Sequence, residues 1–206
     1  MRPNLLNPLG PRLLLVSRSA RRAELLRLVG AQFDLAAVDV DERVTPGERP
    51  EAHVLRLAEA KARAGLAATP PQDGLVALGA DTIVAIDRRI LGKPCDAEDA
   101  RRMLRALSGR VHEVWTGVAV VDAADGRGVS EAARSLVKFA PLEEDVIDRY
   151  VETGEPLDKA GGYAVQGYGA LFVEAIEGSY SNVVGLPLSH VKHLLTLLRG
   201  APSRRG

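Results

Sequence analysis

The sequence predicts one α/β domain whose mixed, twisted sheet is flanked by helices and divided into two lobes with a central cleft. Short apolar runs alternate with helical patterns along the chain. The 206 residues fit one large domain, and 46% of them are hydrophobic, enough to fill a core. We place the domain at residues 12–199, between a flexible N-terminal extension at 1–11 and a flexible tail at 200–206.

The individual elements follow from apolar periodicity and from the glycine and proline residues that bound it. The first half predicts a strand at 13–16, a helix at 20–29, a strand at 33–40, a charged loop at 41–50 and a helix at 51–68. A β-rich stretch at 75–86, interrupted by Gly79, Ala80 and Asp81, leads through a turn to residues 90–91. The second half predicts a helix at 96–107, a hairpin of strands 111–121 and 130–139, a helix at 143–152, a glycine-rich segment at 161–169, a strand at 170–176 and a helix at 185–198.

Charge and composition exclude several classes of protein. Lys plus Arg and Asp plus Glu both number 27, so no positive excess favours binding to nucleic acid. The longest uncharged stretches, 160–173 and 178–191, fall short of the roughly 20 apolar residues of a membrane-spanning helix. The apolar run at 13–16 is too short for a signal-peptide core, and Cys95, the single cysteine, cannot form an internal disulfide. We therefore expect a cytoplasmic protein without nucleic-acid or membrane partners.

Hydroxyl and guanidinium groups gather where the first helix begins. Ser17 and Ser19 lie at its entrance, and Arg21 and Arg22 lie in its first turn. A helix N-terminus offers unpaired N–H groups and Arg adds planar donors, so this segment can bind an anion such as phosphate. The alternative is that a serine only caps the helix while the arginines are solvated or pair with a nearby glutamate.

A second chemical segment joins Asp81 and Thr82 to Lys93, which follows a short hairpin. A carboxylate at the mouth of an apolar strand can hold a divalent ion or take a proton from water, and Lys93 can return to the same place to neutralise phosphate. Alternatively, Asp81 ends the strand in an Asx-type turn and Lys93 is a loop charge.

Three carboxylates, Asp39, Asp41 and Glu42, follow the second predicted strand. Strand alternation would place Asp39 and Asp41 on one face and Glu42 on the other, so at most one or two can reach a shared metal; the alternative is a solvated acidic edge. Lys61 lies on a small-residue helix face that a phosphate could approach, or it is a surface lysine paired with Glu59 or Asp41.

The glycine-rich segment from Asp158 to Gly167 includes Gln166. Glycine lets backbone approach a flat ligand, and an amide side chain can pair with both a donor and an acceptor on a base edge, which is how a pyrimidine could be recognised. The alternative is a turn in which Gln166 bonds the backbone. Apart from His190 and His193, spaced i, i+3, the four histidines form no ligand-like cluster, which disfavours a zinc site. The nucleophile elbow, P-loop and dinucleotide-binding fingerprints are absent, which disfavours serine-hydrolase, P-loop and Rossmann interpretations.

Taken together, these segments resemble the Maf family of nucleoside triphosphate pyrophosphatases. The matching motifs are SRSARRAELL at 17–26, DVDE at 39–42, EAKARAG at 59–65, GADTIV at 79–84, LGKP at 91–94 and PLDKAGGYAVQG at 156–167, followed by residues 176–187. They occur in family order. The resemblance implies a fold similar to the inosine triphosphate pyrophosphatases, cleavage between the α and β phosphates to give a monophosphate and pyrophosphate, and a divalent cation, Mg²⁺ or Mn²⁺.

The resemblance also implies roles for individual residues. Asp81 matches the proton acceptor, and Glu42 matches an acidic residue at the metal and water site, where Asp81 is a second metal ligand. Arg21, Thr82 and Gln166 match specificity positions, while Ser17, Arg21, Lys61 and Lys93 match phosphate-binding positions. Whether Asp81 acts as base, metal ligand or both stays open.

The branch of the family that the segment 158–166 resembles acts on dTTP and UTP, with CTP or modified pyrimidine nucleotides as further candidate substrates. The resemblance further suggests a homodimer. The alternative function is a non-catalytic, nucleotide-binding regulator of cell division.

Overall fold

The computed structural model describes residues 3–6, 12–70 and 72–200. Within these ranges the strands are β1 (Arg12–Val16), β2 (Phe33–Ala36), β3 (Leu75–Ile86), β4 (Arg89–Leu91), β5 (Val111–Asp122), β6 (Gly128–Phe139) and β7 (Val173–Glu177). The α-helices are α1 (Ala20–Leu28), α2 (Pro50–Ala67), α3 (Ala97–Leu107), α4 (Glu144–Glu152), α5 (Tyr180–Val184) and α6 (Leu188–Gly200). Short 3₁₀ helices occupy Glu155–Asp158, Ala160–Gly162 and Tyr168–Phe172. In the described ranges no helix combines the length and the apolar character needed to cross a membrane.

The described strands form one mixed sheet in the order β2-β1-β3-β5-β6-β7, with β4 paired to β3. β1 runs parallel to β2 and to β3, so Leu13 lies opposite Phe33 on one side and Val76 on the other. Parallel neighbours need crossover connections, and α1 and α2 provide them. β4 and β7 pair antiparallel with β3 and β6. The predicted fold class, a mixed sheet flanked by helices, is confirmed.

The chain divides into two compact units. Unit 1 comprises Met1–Asp81, Thr116–Ala133 and Gly185–Gly206. Its core packs small residues of α2 against β1, β3 and β5, and includes Leu14, Val16, Ala58, Ala62, Leu75, Ala77, Ala119 and Val121. The small side chains of α2 allow its backbone to lie close to the sheet, which matters for the site described below.

Unit 2 comprises Thr82–Trp115 and Arg134–Val184. Its core is more aromatic, with Phe139 packed edge-to-face against both Tyr163 and Phe172. Helix α3 begins at the N-cap Asp96, whose side chain accepts a hydrogen bond from Asp99 N at 2.8 Å. Acidic residues in its first turn and Arg105 in its last turn complement the helix dipole.

Several predicted boundaries differ from the structure. β2 ends at Ala36 rather than Val40, and β3 is continuous through residues 79–81. The strand expected from residue 170 begins at Val173, because the 3₁₀ helix Tyr168–Phe172 precedes it. The helix expected from residue 185 begins at Leu188, and α5 is a separate element that the sequence analysis missed.

The predicted extension and tail fall mostly outside the described residues. Within the extension, Leu5 N donates a hydrogen bond to Val29 O at 3.1 Å, and Leu6 is buried. At the other end, Gly200 is the last residue of α6, and residues 201–206 lie outside the described chain.

Candidate active site

Three of the predicted site residues meet around one ammonium group in unit 1. Lys61 Nζ lies 2.6 Å from Glu42 Oε1 and 2.7 Å from Asp81 Oδ1. The Lys61 side chain is only 12% exposed, so the charge sits in a partly dehydrated place where its ion pairs are stronger than on an open surface. We call these three residues the Lys61 centre. The alternative partners Glu59 and Asp41 are engaged elsewhere, with Ser130 Oγ and with Arg43.

Glycine at position 79 explains why Lys61 and Asp81 can meet. A Cβ atom on Gly79 would overlap the carbonyl oxygen of Ala58, so the backbones of α2 and β3 are in direct contact there. Asp81 lies two residues after Gly79 and projects from the same face of the strand. Lys61 lies three residues after Ala58 and projects from the same face of the helix. The close approach therefore brings the ammonium and the carboxylate together.

Asp81 lies inside β3, with buried strand residues on both sides of it in the chain. The expectation of a carboxylate at the end of a strand, and the alternative of an Asx-type turn, are both wrong. Asp81 is 7% exposed, and a buried carboxylate is stable only when it is paired. Lys61 provides that pairing.

Glu42 lies in an irregular segment after β2, which a second carboxylate holds against α2. Glu48 is within 2.9 Å of His53 Nδ1 and within 2.7 Å of Arg56 Nε, and it accepts a hydrogen bond from Thr45 N at 3.0 Å. Arg56 also donates to the carbonyl oxygen of Arg43, next to Glu42. We call Glu48, His53 and Arg56 the Glu48 cluster. Hydrogen bonds from Arg56 hold the pKa of Glu48 well below its usual range.

The neighbouring carboxylates do not join the Lys61 centre. Asp39 pairs with Arg18 at 2.9 Å, and Asp41 pairs with Arg43 at 2.6 Å. Both pairs are exposed, so the predicted acidic stretch contributes only Glu42 to the centre. The predicted strand alternation does not apply, since residues 37–46 are irregular.

The start of α1 places Ser17 and two arginines in different surroundings. Ser17 Oγ accepts hydrogen bonds from Ser19 N at 3.1 Å and from Arg22 Nη1 at 3.2 Å. Arg22 is buried and also donates to the carbonyl oxygen of Gly185 at 2.8 Å. Burial lowers the pKa of Arg22, and the negative charge of Asp81 opposes that effect. Ser19 occupies the N-cap position without a side-chain capping bond.

Arg21 is half-buried in the first turn of α1. Within the described part of the chain, no carboxylate forms an ion pair with it. Residue types and spacing did not separate the two arginines, whereas the family resemblance singled out Arg21. In the structure Arg22 is buried and bonded within unit 1, and Arg21 is the more accessible of the two.

Unit 2 contains Thr82, Lys93 and Gln166. Thr82 is the half-buried residue of β3 that follows Asp81. Lys93 is exposed in the connection between β4 and α3, and the preceding Gly92 accepts a hydrogen bond from Gly161 N at 3.0 Å. The backbone thus ties the Lys93 connection to the glycine-rich segment that precedes Gln166.

Gln166 is exposed and follows a buried anchor at Tyr163. Tyr163 Oη is 2.8 Å from His112 Nε2, and both side chains are buried. Burial lowers the pKa of His112 to about 4, so the imidazole is neutral at physiological pH. Glu155, which precedes Gln166 in the chain, accepts hydrogen bonds from Tyr168 N and Gly169 N on the C-terminal side of Gln166. Sequence reasoning missed Glu155, which lies just before the motif at 156–167.

Comparison with known proteins gives a consistent result. Residues 12–198 match the model of the family described as Maf-like protein. The chain is 54% identical over 189 residues to a dTTP/UTP pyrophosphatase of Anaeromyxobacter dehalogenans strain 2CP-C, covering 91% of this chain and 94% of the relative. It is 51% identical over 186 residues to a dTTP/UTP pyrophosphatase of Geobacter sp. strain M21, covering 90% and 95%.

A third relative, a dTTP/UTP pyrophosphatase of Pseudoalteromonas atlantica strain T6c, is 47% identical over 185 residues, covering 89% of this chain and 95% of its own length. The family match spans residues 12–198, which contain the motifs at Ser17, Glu42, Lys61, Asp81, Lys93 and Gln166. The chain therefore belongs to the Maf family.

Proposed function

We propose that this protein is a nucleoside triphosphate pyrophosphatase that hydrolyses dTTP and UTP to the monophosphate and pyrophosphate, with CTP or modified pyrimidine nucleotides as further substrates. The relatives that bear the name dTTP/UTP pyrophosphatase support the substrate class. The observation that carries the proposal is the Lys61 centre, in which a buried aspartate pairs with a lysine that also pairs with a more exposed glutamate. By this reaction the protein would remove damaged or surplus nucleotides from the nucleotide pool.

The cationic residues suit a triphosphate, which carries about four negative charges. In unit 1 we assign Arg21, Lys61 and Ser17 to the phosphates, since guanidinium, ammonium and hydroxyl groups all donate to phosphate oxygens. In unit 2 we assign Lys93 to a phosphate, and Thr82 and Gln166 to selection of the nucleotide. An amide side chain can donate to and accept from the edge of a pyrimidine, which suits Gln166 to that task.

The carboxylates of the Lys61 centre fit a divalent cation. Mg²⁺ is commonly bound by one or two carboxylates and completes its octahedral coordination with water and substrate phosphates. Asp81 and Glu42 are close enough to form such a pair, because the Lys61 ammonium is in contact with both carboxylates. Across the described ranges no group of three or more His, Cys, Asp or Glu side chains is arranged to hold a metal on its own. We therefore propose that Asp81 and Glu42 hold Mg²⁺ or Mn²⁺ together with the substrate.

Asp81 is our candidate for the group that takes a proton from the attacking water. Its Oδ1 accepts a hydrogen bond from Lys61, which fixes the orientation of the carboxylate. Attack on the α-phosphorus needs this aligned base, and departure of pyrophosphate needs neutralisation of the charge that develops on it. When bound, the divalent cation would supply part of that neutralisation and would acidify water.

The test is pyrophosphate release from a panel of nucleoside triphosphates with Mg²⁺ or Mn²⁺, repeated after chelation of the metal. We expect release from dTTP and UTP and loss of release with chelator. Asp81→Asn should lower turnover by about 100-fold or more while nucleotide still binds. Asp73→Asn, an exposed aspartate before the same strand, is the matched control and should retain activity.

Three outcomes would contradict the proposal. Full activity of Asp81→Asn would exclude Asp81 as the base, and release of inorganic phosphate instead of pyrophosphate would indicate a different reaction. Nucleotide binding without any product would favour a non-catalytic regulator.

We also propose that the protein acts in the cytoplasm, where nucleoside triphosphates are made and used, and that it forms a homodimer. Light scattering combined with size-exclusion chromatography of the full chain tests the dimer, which should have about twice the mass of 22.0 kDa. A monomer mass across the accessible concentration range would refute it.

A further inference from the structure

Glu155 accepts hydrogen bonds from three donors near Gln166. Gly169 N lies 3.1 Å from Oε1 and Tyr168 N lies 3.0 Å from Oε2. The third donor is Tyr150, whose hydroxyl lies 2.8 Å from Oε1. Tyr168 and Gly169 are the first two residues of a 3₁₀ helix, whose first N–H groups have no partner within the helix. The Glu155 carboxylate supplies those partners.

Tyr150 extends the same contact to the other side of Gln166. Its oxygen donates to Glu155 and accepts a hydrogen bond from Ala164 N at 3.2 Å. The ring is 4% exposed and packs edge-to-face on Phe172 at a centroid distance of 4.8 Å. Burial raises the pKa of Tyr150, so the hydroxyl keeps its proton and its role as a donor. A rigid phenol therefore links the backbone at residue 164 to the carboxylate.

Two glycines make these contacts possible. A Cβ atom on Gly167 would overlap the Glu155 carboxylate, and one on Gly169 would lie 2.8 Å from Tyr150 Oη. The carboxylate and the phenol therefore occupy the space that side chains at 167 and 169 would need. Glu155 and Tyr150 thus fix the segment Ala164–Gly169 through hydrogen bonds to its backbone N–H groups. The Gln166 side chain itself is exposed.

From this arrangement we infer that Glu155 and Tyr150 are positioning residues for base selection, because they fix the backbone on both sides of Gln166 and so aim its amide. We call Glu155, Tyr150 and the three backbone N–H groups the Glu155 cluster. The inference rests on the proposed function, in which Gln166 selects the nucleotide. It adds two residues that act through the backbone of Gln166 and touch no substrate.

A carboxylate is required at position 155 because three donors converge on its two oxygens. The isosteric Glu155→Gln variant has one acceptor oxygen, and its NH₂ group would face an N–H or O–H donor instead of accepting from it. The variant keeps the volume of the side chain but cannot accept hydrogen bonds from all three donors. Glu152→Gln, an exposed glutamate at the end of α4, is the matched control.

The experiment compares kcat/KM for dTTP with kcat/KM for dGTP in the wild type, Glu155→Gln, Gln166→Ala and the double variant. We expect the dTTP preference to fall about five- to tenfold in each single variant, the size of effect that one or two lost hydrogen bonds produce. The double variant should show no further fall, because both changes remove the same recognition. Glu152→Gln should keep the wild-type ratio.

A second measurement does not depend on catalysis. Hydrogen–deuterium exchange at the amides of Ala164, Tyr168 and Gly169 should be faster in Glu155→Gln than in the wild type and the Glu152→Gln control. If Glu155→Gln does not fold, Tyr150→Phe takes its place. That variant keeps the ring and removes two of the bonds, and the preference should fall about two- to threefold.

The outcomes separate the inference from the proposed function. The inference would be overturned by an unchanged dTTP preference in Glu155→Gln or by an additive loss in the double variant. The proposed role of Gln166 would still stand if Gln166→Ala lowered the dTTP preference. Unchanged exchange at the three amides would overturn it as well. If the wild type releases no pyrophosphate, the proposed function fails, and the exchange measurement alone decides whether Glu155 fixes the segment.

Discussion

The Glu48 cluster of unit 1 and the Glu155 cluster of unit 2 both hold an irregular segment in place, but they do so with different hydrogen-bond donors. Each uses a glutamate to hold an irregular segment that carries a proposed site residue, Glu42 in one case and Gln166 in the other. Glu48 bonds the charged Arg56, the ring of His53 and one backbone N–H. Glu155 bonds a phenol and two backbone N–H groups. The first contact includes a charged donor, whereas the three donors of the second contact are all neutral.

The difference corresponds to the proposed tasks of the two regions. The segment that presents Glu42 to the proposed metal is held by ion pairs, whose strength is tuned by charge and salt. A segment that selects a base needs a fixed hydrogen-bonding geometry, which neutral donors on the Glu155 carboxylate supply. Changes of charge at Lys61 or Glu48 should therefore affect unit 1 far more than the segment Ala164–Gly169.

The sharpest contrast should come from Lys61→Met, which leaves Asp81 and Glu42 without their shared cation. We expect kcat/KM for dTTP to fall at least about 100-fold, the usual effect of deleting one charged contact in an active site. Amide exchange in Ala164–Gly169 should not change. Lys192→Met, an exposed lysine of α6, serves as the control. Wild-type activity of Lys61→Met would show that the Lys61 centre is structural only.

The same centre can be disrupted by steric overlap instead of charge. In Gly79→Ala the new methyl group would overlap the Ala58 carbonyl and push α2 away from β3. We expect a loss of up to about 3 kcal/mol in the free energy of unfolding, measured in urea, together with lower activity. Gly200→Ala has open space around the added methyl and should change stability by less than about 0.5 kcal/mol. Equal stabilities of the two variants would contradict the close approach described above.

A pH series on Glu48→Gln tests the ionic character of the Glu48 cluster. Because Arg56 lowers the pKa of Glu48 in the folded protein, the ionised carboxylate stabilises the fold above its unfolded pKa of about 4.3. This contribution is lost as the pH falls towards the folded value. Above about pH 5 the free energy of unfolding of the wild type should exceed that of the variant by about 2 kcal/mol, and this difference should become smaller below about pH 4. A difference in the free energy of unfolding that stays constant down to pH 3 would contradict an ionic contact.

His112 gives unit 2 a pH response that arises from burial instead of from an ion pair. Burial lowers its pKa from 6.5 to about 4, so between these values the unfolded chain binds a proton that the folded protein does not. The free energy of unfolding should therefore decrease by about 1.4 kcal/mol for each pH unit as the pH falls through this window. His112→Gln should remove that slope, measured by chemical denaturation between pH 4.5 and 7. Parallel curves for the two proteins would show that His112 does not titrate as inferred.

The fold was predictable where periodicity and stop residues agreed. The helix expected at 51–68 lies at Pro50–Ala67, and the hairpin expected at 111–121 and 130–139 lies at Val111–Asp122 and Gly128–Phe139. The prediction was wrong at 79–81, where a glycine was taken as an interruption of β3. Gly79 instead allows α2 to contact the strand directly, and that contact is tertiary, so the sequence of the strand alone does not contain it.

The candidate site was predictable to a similar degree. Residue types and spacing pointed to Lys61 and Asp81, and the family resemblance singled out Glu42 among three neighbouring carboxylates. The meeting of Lys61 and Asp81 depends on the close approach of α2 and β3. Glu48 and Glu155 had no sequence signal, because a glutamate in a charged loop or before a proline is normally solvated. What marks them is the set of donors around each carboxylate, which only the folded chain assembles.

The single cysteine has a practical consequence. Cys95 is exposed, lies two residues after Lys93, and has its thiol against Asp99, which raises the pKa of that thiol. A maleimide dye would therefore attach at one defined place, slowly at neutral pH and faster as the solution becomes alkaline. Fluorescence from that dye would test the nucleotide binding proposed near Lys93 without any cysteine having to be engineered in or out.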